Sequence, residues 1–184
     1  MKKFLLLTVS ALVLLSLNNV NAQCDLPFNE DGEYEIKEVV SLKNSIPDTE
    51  IYGAAMLAFT EVFNSAADVI DIENENLGYI SGQFDVATKP FTMGVWQSHF
   101  RFSIRLDFKD SRYRIKVKYL SHYASSSTTD CHCPNKFSDE KCGVPCVTKK
   151  QWKKQKCEAH TQVLVVITKI KKLIGNNLTV DDNW

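Results

Sequence analysis

The sequence predicts an α+β domain in which a strand and a helix are followed by four strands and a last helix. Three observations carry this reading. Phe100, Phe102, Ile104, Leu106 and Phe108 alternate without a break with His99, Arg101, Ser103, Arg105, Asp107 and Lys109, the period of a strand with one buried and one wet face. Tyr52, Ala55, Met56, Phe59, Val62 and Phe63 recur at helical spacing and so share one stripe of a helix. Thr148 and Gln151 form a capping box, Val147 and Trp152 the two ends of a hydrophobic staple, and Val163, Val166, Ile167, Ile170, Leu173 and Ile174 the apolar stripe of a second helix.

Taken in order, Tyr34 to Leu42 is rich in β-formers with partial alternation, and Ser45-Ile46-Pro47-Asp48 supplies the turn and N-cap that open the first helix. That helix fades at Asn64-Ser65. Val69 to Glu73 and Tyr79 to Val86 alternate with a period of two around the turn Asn74-Glu75-Asn76-Leu77-Gly78, the pattern of a hairpin in which Ile80, Gly82, Phe84 and Val86 share a face. Centring the next hairpin on Asp110-Ser111 pairs Phe108 with Tyr113, Leu106 with Ile115, Ile104 with Val117 and Phe102 with Tyr119, and opposes Asp107 to Arg114. Ser111 suits a left-handed turn position less well than glycine, at a cost of about 1 kcal/mol. The polar stretch from His122 to Cys146 reads as a cysteine-rich loop before the last helix, too long to stay ordered without staples. Gly175 is the expected helix C-terminal residue with positive φ. The lysine-rich first half of that helix either projects past the core or packs on the cysteine loop.

Particular residues extend this order into a resemblance. Ile51-Tyr52 opens the first helix, Ser65-Ala66-Ala67-Asp68-Val69-Ile70 enters the second strand, Gly78-Tyr79-Ile80-Ser81-Gly82 lies in the third, and Lys109-Asp110-Ser111-Arg112-Tyr113-Arg114 forms the hairpin. Together these resemble the secreted domain of unknown function with a TATA-binding-protein-like fold that is common in Bacteroidota. The likeness covers roughly residues 34 to 121 plus the last helix; Phe59 stands where many relatives carry Trp, Ser111 replaces a usual Gly, and the cysteine-bearing insertion departs from the pattern. The resemblance implies a curved antiparallel five-stranded sheet with two helices on one face and a place in the cell envelope. It implies no catalytic residue, because the family has no assigned activity.

Lys2 and Lys3, the apolar run Phe4 to Leu17 and the polar stretch ending Val20-Asn21-Ala22 form a signal peptide with cleavage near Ala22. The run is too short to span a bilayer. The expected division is therefore a signal peptide over 1–22, one domain over 23–175 with the cysteine-rich insertion at 122–146, and a loose tail over 176–184. The 184 residues carry 22 basic and 22 acidic side chains, a balance that favours neither nucleic acid nor a membrane surface as partner. The distribution is uneven. Residues 23 to 75 hold 13 acidic and 2 basic side chains, and residues 76 to 184 hold 9 acidic and 18 basic. Either the halves neutralise each other on folding, or a basic face remains for a partner.

Cys24, Cys131, Cys133, Cys142, Cys146 and Cys157 are an even set in a chain bound for an oxidising compartment, which points to structural disulfides. A rival reading takes these cysteines after Cys24, with His132 and His160, as zinc ligands, although their spacing matches no standard zinc module. His99 and His122 oppose each other on the wet face if the hairpin register persists to its open end. Two basic groups are candidate binding sites: Arg101, Arg105, Lys116 and Lys118, with Arg114, on the sheet, and Lys149, Lys150, Lys153 and Lys154, with Lys156, at the start of the last helix. Asp71, Glu73 and Asp85 are the acids placed to neutralise the sheet group. The sequence contains no phosphate-cradling glycine loop, Gly-x-Ser-x-Gly or His-Glu-x-x-His. The expected function is thus a secreted or periplasmic, non-catalytic, cofactor-free binding module. Its partner is an envelope protein, a glycan or an anionic lipid surface. A zinc-binding domain and a hydrolase without a known signature are the alternatives.

Overall fold

A computed structural model describes residues 24–42, 45–63, 70–74, 78–91, 94–127 and 129–178. The signal peptide, the fading of the first helix at Asn64-Ser65, most of the first hairpin turn and the last six residues of the tail lie outside the described residues. The elements are β1 (Glu35–Ser41), α1 (Asp48–Phe63), β2 (Ile70–Asn74), β3 (Tyr79–Ala87), β4 (Gln97–Phe108), β5 (Arg112–Ser125), β6 (Asp130–His132) and α2 (Lys149–Asn177). The strands pair in the order β1-β5-β4-β3-β2, all antiparallel, and the short β6 also pairs with β5. This is the expected five-stranded sheet with two helices, extended by one strand contributed by the cysteine loop.

Alternation decides which face is buried. Ile80, Gly82, Phe84 and Val86 of β3, Phe100, Phe102, Ile104, Leu106 and Phe108 of β4 and Tyr113, Ile115 and Val117 of β5 turn inward, while the residues between them stay wholly or partly exposed. Against this face pack Ile51, Ala54, Ala55, Ala58 and Phe59 of α1 and Trp152, Ala159, Val163, Ile167, Ile170 and Ile174 of α2. Alanines on the inner stripe of α1 let it approach both the sheet and α2 closely. The register from Phe108↔Tyr113 through Phe102↔Tyr119, with Asp107↔Arg114, is the one the alternation predicts. A one-residue slip would carry every one of these side chains to water.

Beyond Phe102 the register changes. Arg101 opposes Ser121 rather than the residue next to Tyr119, so Leu120 is an extra residue bulged out of β5 and left exposed. His122 consequently falls on the core side, opposite Phe100, and His99 faces Tyr123 with stacked rings 4.8 Å apart. The expected opposition of His99 and His122 is therefore corrected: the bulge moves the two rings to opposite faces.

Asp110 and Ser111 both have positive φ, 53° and 56°. This is the backbone of a two-residue turn whose twist matches its strands. The serine has a reason to be there. Its hydroxyl accepts a hydrogen bond from the Ile46 amide at 2.9 Å and donates to the Ile46 carbonyl at 3.1 Å, which ties the β1–α1 loop to the hairpin. The α2 capping box is present as expected, and Val147 and Trp152 are buried. Gly175, however, lies inside the helix, with no positive φ. The helix runs on because the Leu178 amide bonds to the Ile174 carbonyl at 3.1 Å, and the Asn177 side chain donates to the Ala54 carbonyl of α1 at 3.2 Å.

Two predictions follow from this packing. Leu106→Ala, at a position with no solvent exposure, is expected to lower unfolding free energy by about 2 to 5 kcal/mol. Arg105→Ala, on the exposed face, costs less than about 1 kcal/mol; equal losses in urea unfolding would contradict the assignment of faces. At the turn, Ser111→Ala keeps the backbone strain and removes both hydrogen bonds, for a loss of about 1 to 2 kcal/mol. Ser111→Gly also relieves about 1 kcal/mol of strain and is expected to unfold at a higher urea concentration than Ser111→Ala.

Candidate functional site

The open face of the sheet carries the first basic group, and each member has an acidic partner. Arg101 grips Asp85 with two hydrogen bonds of 2.8 Å. Asp107 accepts from Arg105 at 2.7 Å and from Arg114 at 2.8 and 3.0 Å. Lys118 lies 3.4 Å from both Glu33 and Glu35, and Lys116 lies 3.8 Å from Glu35. Burial alone would raise the Asp107 carboxyl, but the hydrogen bonds from Arg105 and Arg114 outweigh it and hold the group below the usual carboxylate range. Asp85 therefore serves as the sequence suggests. The side chains of Asp71 and Glu73 lie outside the described residues, and Glu33, Glu35 and Asp107 complete the set. Arg105 stands opposite Lys116, a pair of like charges, and the carboxylates of Asp107 and Glu35 offset the repulsion between them.

The second basic group divides. Lys149 pairs with Glu140 of the cysteine loop. Lys150, Lys153 and Lys154 are exposed, with no acidic partner among the described residues. Lys156, one turn further, points inward. It is 7% exposed, and its ammonium donates to the carbonyls of Phe137 at 2.7 Å and Asp139 at 2.9 Å. It also stands 5.2 Å from the Trp152 ring. Burial pulls its pKa down, and the nearby Asp139 and Glu140 oppose that pull. The lysine-rich half of α2 thus packs on the cysteine loop.

That loop is held by all six cysteines, joined as Cys24–Cys157, Cys131–Cys146 and Cys133–Cys142. The last two are nested. Phe137 fills the space beneath, with its ring 4.7 Å from those of Tyr34 and Tyr119, and the Trp152 indole N–H donates to the Asp139 carbonyl at 2.9 Å. Between the loop and the β1–β5 pair opens a cleft of about 410 Å³, whose lining includes Glu33, Tyr34, Lys118, Tyr119, Cys133 and Phe137.

The zinc set drawn from spacing is dispersed. Cys157 is joined to Cys24, His160 Nδ1 lies 2.8 Å from the Tyr34 hydroxyl, and His132 leans on Tyr123. A different trio gathers instead. His122, 2% exposed, sits between the rings of Phe100 and Trp152, with Nδ1 2.6 Å from Cys133 Sγ and 3.9 Å from Cys142 Sγ. Its Nε2 is buried without a hydrogen-bond partner among the described residues. Burial, aided by His99, pushes its pKa down to about 3, so the ring is neutral. Sequence spacing cannot assemble this trio, because only the bulge at Leu120 turns His122 toward the cysteines.

No helix among the described residues is long and apolar enough to cross a membrane. Residues 37–123 match the model of a domain of unknown function (DUF4468) with TBP-like fold. No curated protein matches the sequence. The fold is similar to the crystal structure of a TBP-like protein from Parabacteroides distasonis, with 13% identity, a TM-score of 0.63, and coverage of 82% of this chain and 97% of that one. It is also similar to a DUF4468 family protein from Bacteroides ovatus, with 12% identity, a TM-score of 0.51, and coverage of 90% and 95%. At such identities the likeness concerns the fold, and the sheet order, the two helices and the matched segment agree: the chain has a TBP-like fold, and its residues 37–123 match the model of the DUF4468 family, a domain of unknown function.

Proposed function

We propose that this protein is an exported, non-catalytic interaction module of the cell envelope that meets an anionic partner through the start of α2. One observation carries the choice of surface. Arg101, Arg105, Arg114, Lys116 and Lys118 of the sheet are each answered by a carboxylate, whereas Lys150, Lys153 and Lys154 stand exposed as a cluster without one among the described residues. The first turn of α2 contains no acidic residue, so the helix dipole adds to the positive field there. Export is supported by the amino-terminal signal pattern and by three disulfides, which persist in oxidising compartments. The partner is an envelope protein, a glycan or a lipid surface that presents several negative charges. Fold likeness brings no nucleic-acid ligand with it.

The test compares retention on heparin and on vesicles containing anionic lipid, with rising salt. Exposed charges are screened beyond about 8 to 10 Å at physiological ionic strength, so retention is expected to weaken steeply with salt. A variant with Lys149, Lys150, Lys153 and Lys154 changed to Ser is expected to lose salt-sensitive retention while remaining folded. One with Arg101, Arg105, Lys116 and Lys118 changed to Ser retains binding and unfolds at a lower urea concentration. Absence of wild-type retention at low salt would overturn the anionic-partner reading. Export is checked separately by amino-terminal sequencing of the protein recovered outside the cytoplasm, which is expected to begin at Gln23.

A further inference from the structure

We propose that His122, Cys133 and Cys142 form a redox-gated zinc site: when the Cys133–Cys142 bond is reduced, two thiolates and one neutral imidazole hold the ion, and the fourth position is filled from the neighbouring cleft. The donor atoms of these residues already lie within 4.8 Å of one another. Zinc bonds of about 2.3 Å to sulfur and about 2.0 Å to nitrogen place tetrahedral donors about 3.5 to 3.8 Å apart. His122 Nδ1 is 3.9 Å from Cys142 Sγ and 2.6 Å from Cys133 Sγ. The Cys133 sulfur has to withdraw by about 1 Å from Nδ1 and to move from about 2 Å to about 3.8 Å from the Cys142 sulfur, and breaking its bond to Cys142 frees it to do so.

The surroundings select the ion. His122 lies against Phe100 and Trp152, an apolar setting in which net charge is costly. Two thiolates and a divalent ion sum to zero, whereas a monovalent ion leaves an uncompensated negative charge. Mixed sulfur and imidazole donors suit zinc, and three protein ligands with one open position are the pattern of a reactive rather than a closed structural site. Cys133 lines the cleft of about 410 Å³, which gives the fourth ligand and the reductant a way in, while Cys142 is buried.

The fold tolerates the opening. Cys131–Cys146 encloses Cys133–Cys142 in sequence, and Trp152 and Lys156 hold the same segment through the carbonyls of Phe137 and Asp139. The inner bond therefore adds little closure to a loop that is already closed. The exchange balances simply. An external dithiol passes two electrons and two protons to the two sulfurs and ends as a disulfide; zinc then displaces the two thiol protons to solvent. In the reverse direction an external disulfide takes the two electrons and ends as a dithiol, the Cys133–Cys142 bond reforms and the ion is released.

The whole protein, reduced with a water-soluble phosphine and freed of it, is titrated with Zn²⁺ against a chromophoric chelator and then alkylated and mapped by mass spectrometry. The expected result is one zinc per folded chain, with zinc-dependent protection from alkylation at Cys133 and Cys142 and no zinc-dependent change at Cys131 and Cys146. Co²⁺ at the same site is expected to show thiolate charge-transfer absorption. His122→Phe preserves the ring shape and all six cysteines and is expected to weaken zinc binding at least about tenfold, the scale on which even supporting residues act; His132→Phe leaves it unchanged. The proposal is overturned if folded reduced protein holds no zinc, if protection falls on Cys131 and Cys146, or if His122→Phe binds as tightly as the wild type. Reduction that unfolds the chain beyond rescue by zinc overturns it as well. Protection mapping on the wild type decides the matter should His122→Phe fail to fold.

Discussion

Asp110 and Ser111 close the β4–β5 hairpin with both residues at positive φ, and the pairs from Phe108–Tyr113 to Phe102–Tyr119 are thereby fixed in phase. β1 and β3 then add to the two edges of this hairpin with their apolar side chains on the same side, because the opposite phase would bury charge and expose Ile36 or Ile80. The helices cover the face this phase selects. The turn's serine also holds Ile46, so the constraint that sets strand register sets the entry of α1 as well. One extra residue, Leu120, ends the regular register, and everything distinctive about this chain lies beyond it.

Past the bulge, the outer edge of β5 leaves β1 and receives β6, the start of the cysteine loop. A polar loop of this length has little apolar mass with which to offset its ordering entropy. It compensates in three ways. Phe137 and Val147 enter the core, three disulfides restrict the unfolded chain, and Lys156 gives the loop's carbonyls a buried cation. Cys24–Cys157 spans a separation of 133 residues and joins the described amino-terminal end to α2. Long closures of this kind restrict the unfolded ensemble most, whereas the Cys133–Cys142 closure, nested inside another, restricts it least.

Periodicity made the sheet legible because each central strand buries one face only. The β4–β5 register, the capping box of α2 and the stripes of both helices could be read from residue spacing alone. The departures share a cause: what decides them, a contact remote in sequence or a bulge, leaves no mark on residue spacing. Gly175 stays helical because Asn177 reaches Ala54. Ser111 is tolerated because Ile46 comes to meet it. His122 turns inward because β5 carries an unpaired residue, which no two-residue alternation announces, and with that turn the trio of His122, Cys133 and Cys142 became invisible to spacing arguments. Lys156 reads as one more surface lysine until the loop folds over it.

Charge shows the same interplay of local and remote. The acidic first part of the chain contributes Glu33, Glu35 and Glu38, and the basic remainder answers with Lys116, Lys118 and Lys171. Each exposed pair is worth about 0 to 1 kcal/mol. Glu35 of β1 stands opposite Lys118 and near Lys116 of β5, and so offsets the like-charge pair Lys37–Lys116 that the same register sets face to face. Joining the halves neutralises Lys116 and Lys118, and Asp85 and Asp107 of the basic half itself answer Arg101, Arg105 and Arg114, so a basic sheet group in the sequence becomes a neutralised lattice in the fold. At the start of α2, Lys150, Lys153 and Lys154 form an exposed cluster with no ion pair among the described residues, beside the loop that the disulfides hold in place.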